Sequence, residues 1–245
     1  MNINATFEKL KTMKLLGFEN AYRIVYNNGT NPGFTTDELI AHLVDAEYDD
    51  RYNKKLMRLL KVAGFKQRAT LDQIDYGDQR TLDKNQLLRL QTCDWIKKSK
   101  DILITGPTGV GKSFIACALG FQACINEYKV LYTNAGKLFD RLLFSKADGS
   151  YLNEIEKIAK MDLLILDDFG LKPIDGKIRT VLLDIIDDRN SKKSTIITSQ
   201  MPVKAWYDCI GEPTIADAIM DRLVNGSYRI EIQGESMRKF LKIDD

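Results

Sequence analysis

Ile102-Leu-Ile-Thr-Gly-Pro-Thr-Gly-Val-Gly-Lys-Ser113 is the stretch on which the reading of the fold turns. A short apolar run ends in glycine, and the residues from Lys112 to about 126 have helical character. Ala116, Cys117, Ala118, Gly120, Ala123 and Cys124 are small enough for that helix to pack closely on a sheet. The turn between them matches G-x-x-x-x-G-K-[ST] at every position. Strand, glycine-rich turn and helix together are what a phosphate site needs. The loop Gly106, Pro107, Thr108, Gly109, Val110 and Gly111 aims backbone N–H groups at phosphate oxygens, with glycines where a Cβ would clash. The helix N-terminus adds orphan donors and partial positive charge. Lys112 is placed to reach the β- and γ-phosphates, and the Ser113 hydroxyl to ligate Mg²⁺.

A second motif, Leu163-Leu-Ile-Leu-Asp-Asp168, reads as a buried strand ending in two carboxylates. Asp167 suits a Mg²⁺ ion held through its water shell, and Asp168 suits the attacking water. With the phosphate loop, the pair points to hydrolysis of ATP or GTP. Three further features fall into place around that chemistry. The strand at 194–199 ends in polar groups that would bring Ser199 or Gln200 beside the γ-phosphate. Arg222 and Arg238 are candidate cations for the developing charge, where one arginine is worth ~10³-fold in rate or more.

Outward from these motifs, strands expected near 101–105, 128–133, 161–166, 194–199 and 227–233 alternate with helices near 112–126, 135–145, 152–160, 178–190, 201–210 and 214–225. Apolar strands separated by helices imply an α/β fold with a parallel sheet covered on both faces. The first thirty residues read as helix broken near Gly17, followed by a turn-rich loop. Thr35 and Glu38 have capping-box spacing and open a second helix. The expected organisation is a helical domain over 1–68, a connection over 69–95 and a nucleotide-binding core over 96–245. Tyr76 or Ile74 is a candidate wall for an adenine base.

Charge is unevenly spread. Residues 1–70 carry 11 Lys/Arg against 8 Asp/Glu, and the remainder 25 against 26. The stretch 51–68 holds seven basic residues and no acid. Arg51, Lys54, Lys55, Arg58 and Lys61 lie off its apolar stripe, so they are candidate contacts to DNA phosphates. Absence of acidic residues from that run is read as a basic face without acidic partners, left for solvent or phosphate. At 44% hydrophobic residues, the chain is too apolar to be disordered. No run approaches the ~18 apolar residues of a bilayer span, and the start lacks a secretory signal. A cytoplasmic protein without a membrane partner is expected. Cys93, Cys117, Cys124 and Cys209 form no C-x-x-C pair, and His42 is the single histidine, which argues against a zinc cage or a disulfide framework.

These residues resemble AAA+ ATPases of the IstB/DnaC type, and IstB-like transposition helpers in particular. In the core the resemblance rests on GPTGVGKS (106–113), LLILDDFG (163–170), STIITSQMPVKAWY (194–207), AIMDRL (218–223) and GESMR (234–238). In the N-terminal part it rests on Leu10 with Leu15-Leu-Gly-Phe18, on Glu47 with Arg51, and on Leu60-Lys-Val-Ala-Gly-Phe65 followed by Leu71-Asp-Gln-Ile-Asp75. The resemblance implies a P-loop sheet flanked by helices, a small all-α N-terminal domain and a truncated or absent C-terminal lid. It further implies a Mg²⁺-dependent ATPase that oligomerises as a ring, spiral or filament on duplex DNA, indifferent to sequence, and delivers that DNA to a cognate transposase. Carried over, Lys112 and Ser113 act in the phosphate loop, Asp167 on Mg²⁺ and Asp168 on the lytic water, where many AAA+ proteins have Glu. Ser199 or Gln200 resembles the sensor-one position, Arg222 the finger that reaches a neighbour's ATP, and Arg238 the sensor-two arginine. The alternatives are a DnaC-like helicase loader on single-stranded DNA and a nucleotide-gated scaffold with little turnover.

Overall fold

The N-terminal helices are fixed by caps and one close backbone approach. Helix α1 (Ile3–Thr12) is capped by the Asn2 side chain, which accepts from the Asn4 N–H. Helix α2 (Leu16–Asn27) follows, and α3 (Thr36–Ala63) runs for 28 residues. Thr35 Oγ1 accepts from the Glu38 N–H at 3.3 Å, and a Glu38 carboxylate oxygen accepts from the Thr35 N–H at 2.7 Å, a reciprocal capping box. The structure is a computed structural model that describes residues 2–29, 34–77 and 80–237. Its contacts divide the chain into two units, Met1–Arg58 and Leu59–Asp245.

The break expected near Gly17 falls instead before Leu16, where Lys14 adopts a left-handed φ of 58°. Gly17 lies inside α2 for another reason. A methyl group there would come within 2.4 Å of the Ala46 carbonyl oxygen and 2.7 Å of the Asp50 Cβ, both on α3. The glycine therefore permits two helix backbones to touch. Phe7 is buried beside them with Tyr22 and Tyr26 at its edges, ring centroids 5.6 and 6.2 Å away.

In the second unit, strands β1 (Ile102–Thr105), β2 (Val130–Asn134), β3 (Leu163–Phe169), β4 (Ser194–Ser199) and β5 (Tyr228–Glu231) form one sheet in the order β2-β3-β4-β1-β5. Every pairing is parallel, and the inner strands β1, β3 and β4 are buried along nearly their whole length, while the edge strand β5 buries only Ile230. Ahead of the sheet come α4 (Lys84–Gln91) and α5 (Asp94–Lys97). The first lies in the stretch 69–95 read from sequence as a connection and the second straddles its end, and together they bury Leu87, Leu90, Trp95 and Ile96.

Helix α6 (Lys112–Ile125) covers one face of the sheet. At Gly120 a methyl would lie 2.6 Å from the Phe65 ring and 2.7 Å from Ile165 of β3. The small residues of α6 thus set a close helix-to-sheet distance. The other face is covered by α7 (Ala135–Asp148), α8 (Tyr151–Ala159), α9 (Gly176–Arg189), α10 (Trp206–Ile210) and α11 (Pro213–Val224). There Leu103, Leu164, Leu166 and Ile197 of the strands pack against Leu138, Leu142, Leu182, Trp206 and Ile219. Each such side chain contributes roughly 1.5–3 kcal/mol by leaving water.

Two elements differ from the sequence expectation. Residues 201–210 form only a short 3-10 turn (Val203–Ala205) and α10. Strand β3 continues to Phe169 by way of a register shift against β4 between Leu166 and Phe169. The β4 insertion between β3 and β1 puts the last residues of three strands side by side at the carboxyl edge, the crevice that open α/β sheets use for ligands.

Candidate nucleotide-binding site

Local backbone geometry makes the phosphate loop. Gly109 and Gly111 have φ of 86° and 93°, a region that strains any residue with a Cβ. A methyl at Gly109 would also strike Ser236, and one at Gly111 would come 2.8 Å from a terminal nitrogen of Arg80. Pro107 and Thr108 are exposed and Val110 is buried, which anchors the turn. Lys112 is buried, and its ammonium donates to the carbonyls of Gly106 (2.8 Å) and Pro107 (2.7 Å). The loop thus curls around its own lysine, with the N-terminus of α6 directly behind it.

Across the loop mouth stands Asp167 of β3, 1% exposed. Its Oδ1 accepts from the Ser113 hydroxyl at 2.8 Å and from the Thr198 hydroxyl of β4. Its Oδ2 accepts from the Tyr132 hydroxyl of β2 and lies 3.9 Å from the Lys66 ammonium. Burial, and then the bond to Asp167, push the Tyr132 phenol above its ordinary range, so it remains a donor. The serine hydroxyl and the carboxylate are hard oxygen donors of the kind Mg²⁺ takes. Among the described residues no cluster of three His, Cys, Asp or Glu forms a metal cage. The Ser113 hydroxyl and the Asp167 carboxylate, 2.8 Å apart, fit an ion whose other ligands are water and phosphate, and they are the residues that would hold it.

Asp168 is half-buried in a quite different setting. It occupies the β3 irregularity with φ of 60°, a conformation that costs a non-glycine residue about 1–2 kcal/mol. The Asp168 N–H donates to Thr198 Oγ1 (3.1 Å), and its carboxylate accepts from the Asn134 amide (3.2 Å). The same Asn134 caps α7 by accepting from the Lys137 N–H. Asp168 also helps line a small cavity of about 160 Å³ with Asn134, Gly170 and Lys172.

Not every candidate converges on this edge. Ser199 is fully buried and donates to the Phe169 carbonyl (2.9 Å), while the exposed Gln200 follows it. The β4 hydroxyl that meets Asp167 belongs to Thr198. Arg222, near the end of α11, donates to Asp187 (2.8 Å) and to the Ala218 carbonyl. Arg238 lies outside the described residues. Ile74 and Tyr76 line a separate cavity of about 430 Å³ with Leu71, Leu87 and Phe121, beside the far half of α6.

On α3, Arg51, Lys54, Arg58 and Lys61 are exposed and Lys55 half-buried. The expectation of an unpaired basic face needs correction. Arg51 pairs with Glu47 and Lys54 with Asp50, each at 2.6 Å. The acids stand one turn before the run, where a composition count of 51–68 does not see them.

Sequence reading missed Thr198, Tyr132, Asn134, Lys66 and Arg80. Arg80 donates to the Asp75 and Val110 carbonyls, and its buried Nε has no hydrogen-bond partner. No spacing rule marks any of the five, since each is recruited by tertiary contact.

A family model described as IstB-like ATP binding protein matches residues 8–244. The chain belongs to this family. The IstB-like chain is 41% identical over 239 residues to an insertion sequence ATP-binding protein of Sinorhizobium fredii, covering 98% of each. It is 39% identical over 198 residues to an insertion sequence ATP-binding protein of Pseudomonas fluorescens, covering 80% of this chain and 86% of that one. Among solved structures it is similar to DnaI (TM-score 0.58, 25% identity, 68% of this chain and 92% of that one). It shares its fold with the DnaC helicase loader (TM-score 0.56, 21% identity, 67% and 97%). The IstB-like protein is thus an ATP-binding ATPase with the AAA+ sheet, related to proteins of insertion sequences. No helix among its described residues is long and apolar enough to cross a membrane.

Proposed function

We propose that this IstB-like ATPase is the ATP-dependent helper of a transposase: it oligomerises on duplex DNA, hydrolyses ATP and hands over the DNA as target. The observation that carries the reading is the 2.8 Å bond between Ser113 and Asp167. It joins the phosphate loop to the strand-end carboxylate in the arrangement that phosphoryl transfer to water requires. Lys112, which donates to two loop carbonyls, would contact the β- and γ-phosphates, and Ser113 with Asp167 would hold Mg²⁺. Mg²⁺ held there supplies neutralisation of phosphate charge. Asp168 orients the attacking water and accepts its proton, with Asn134 holding the carboxylate. Ser199 or Gln200 is the sequence candidate for sensing the γ-phosphate, and Thr198 is the β4 hydroxyl whose contacts support such a role. Arg238 is proposed as a further phosphate sensor.

Arg222 is proposed as a finger for a neighbouring subunit. Helices α9 and α11 each precede a parallel strand, so they run back from the carboxyl edge of the sheet. Their last turns, with Asp187 and Arg222, lie at the edge away from the chain's own loop. A cation there suits the ATP of an adjacent copy. Basic residues of α3 supply sequence-indifferent phosphate contacts, which fits a helper that accepts almost any target.

Electron microscopy of the protein with duplex or single-stranded DNA and a non-hydrolysable ATP analogue tests this reading. Nucleotide-dependent assembly on duplex DNA is expected. Preference for single strands would instead favour a helicase loader, and a monomer indifferent to DNA would end both readings. Arg222→Ala should bind ATP nearly normally, lose ~10³-fold in hydrolysis and fail to assemble. Retention of both activities removes the finger assignment.

A further inference from the structure

Asp167 is the most deeply buried carboxylate of the site, and a buried charge needs a compensating one. Three of its four partners are neutral hydroxyls, those of Ser113, Thr198 and Tyr132. The fourth is Lys66, whose ammonium reaches Oδ2 at 3.9 Å. Among the described residues it is the cation paired with Asp167, while the Lys112 ammonium donates to loop carbonyls. Lys66 is itself half-exposed, with 53% of its side chain in solvent, so it can leave without unfolding anything.

What holds Lys66 in reach is the residue before it. Phe65 packs where Gly120 leaves room on α6, and its ring lies 6.4 Å from that of Tyr132. Gly64-Phe65-Lys66 follows directly on the last turn of α3, which ends at Ala63. The chain that leaves the basic helix is therefore docked against the carboxylate of the metal site.

We propose that Lys66 is the resident counter-ion of Asp167, displaced when Mg²⁺ arrives with ATP. Two cations cannot share one small carboxylate without repulsion, so Mg²⁺ loading expels the ammonium and frees the segment joined to α3. The inference rests on the Mg²⁺–ATP reading of the site given above. It makes Lys66 a positioning residue that sets how much Mg²⁺ the site demands and that reports loading to α3.

Titration of Mg²⁺ against binding of a fluorescent ATP analogue tests it. Lys66→Met, which keeps the stem and removes the charge, should lower the half-saturating Mg²⁺ concentration at least threefold, while Lys66→Arg stays near wild type. In the wild type, trypsin should cut after Lys66 or Arg68 faster with ATP and Mg²⁺ than with ATP and EDTA. An unchanged or raised Mg²⁺ requirement in Lys66→Met overturns the proposal, as does cleavage indifferent to Mg²⁺. The two readings fail differently. If the wild type binds nucleotide with no dependence on Mg²⁺, the site assignment falls too; if only the variants match it, the counter-ion role falls alone.

Discussion

The carboxyl edge of the sheet and the basic stretch of α3 were both conspicuous in the sequence, and the structure treats them differently. At the sheet edge, Lys112, Ser113, Asp167 and Asp168 come from segments up to 56 residues apart and are locked by backbone carbonyls and hydroxyls from four elements. On α3, five basic residues sit within eleven positions, two of them neutralised by acids a turn away. A motif whose spacing dictates backbone conformation carries its chemistry with it. A charge run does not, because its meaning depends on neighbours outside the run.

Lys112→Ala puts the greatest strain on this contrast. ATP affinity should fall roughly 100-fold, about 2.7 kcal/mol, in a titration with a fluorescent analogue. Binding kept within fivefold would mean that the loop geometry does not decide the site. The basic helix sharpens the comparison at the next level. Arg58 and Lys61 make no ion pair among the described residues, whereas Arg51 and Lys54 do. Replacing Arg58 and Lys61 by Gln should weaken duplex binding about tenfold and flatten its log–log salt slope by roughly 1.8. Replacing Arg51 and Lys54 should do less, and equal effects would show that the pairs do not matter.

A smaller effect is expected at the opposite edge of the sheet. Burial pushes the Asp101 carboxyl up to about 6, against the opposing pull of the Thr195 N–H, Arg189 and Lys100. Its folded value exceeds the unfolded one, so the stability it lends is full below about pH 4 and lost as pH rises through 6. Asp101→Asn keeps the bond to Thr195 without that loss. Relative to wild type, its Tm should gain roughly 3 °C between pH 5 and 7. Parallel Tm curves would show that Asp101 is not buried as a charge.

The phosphate loop was legible because its glycines, lysine and serine are contiguous and their geometry is local. Strand order was not, since nothing in the sequence of β4 says that it inserts between β3 and β1. That insertion is what brings a β4 hydroxyl, that of Thr198, onto Asp167. Helices α4 and α5 escaped notice because two short turns with Leu87, Leu90 and Trp95 offer too little period against a polar background. Ser199 illustrates the same limit: its neighbour differs by one position, and side-chain alternation along a strand decides which of the two faces the site.

Gly17 leaves the first unit with a hard stop, unlike the side-chain contacts that surround Gly120 in the second. Among sheet and helices, an added methylene spreads its displacement over many interlocked side chains. Between α2 and α3 two main chains abut with nothing deformable between them, so one extra carbon must pry the pair apart. The least conspicuous residue of that unit is thus the one with no spare room, and its loss would be felt wherever the N-terminal helices are asked to hold a fixed shape.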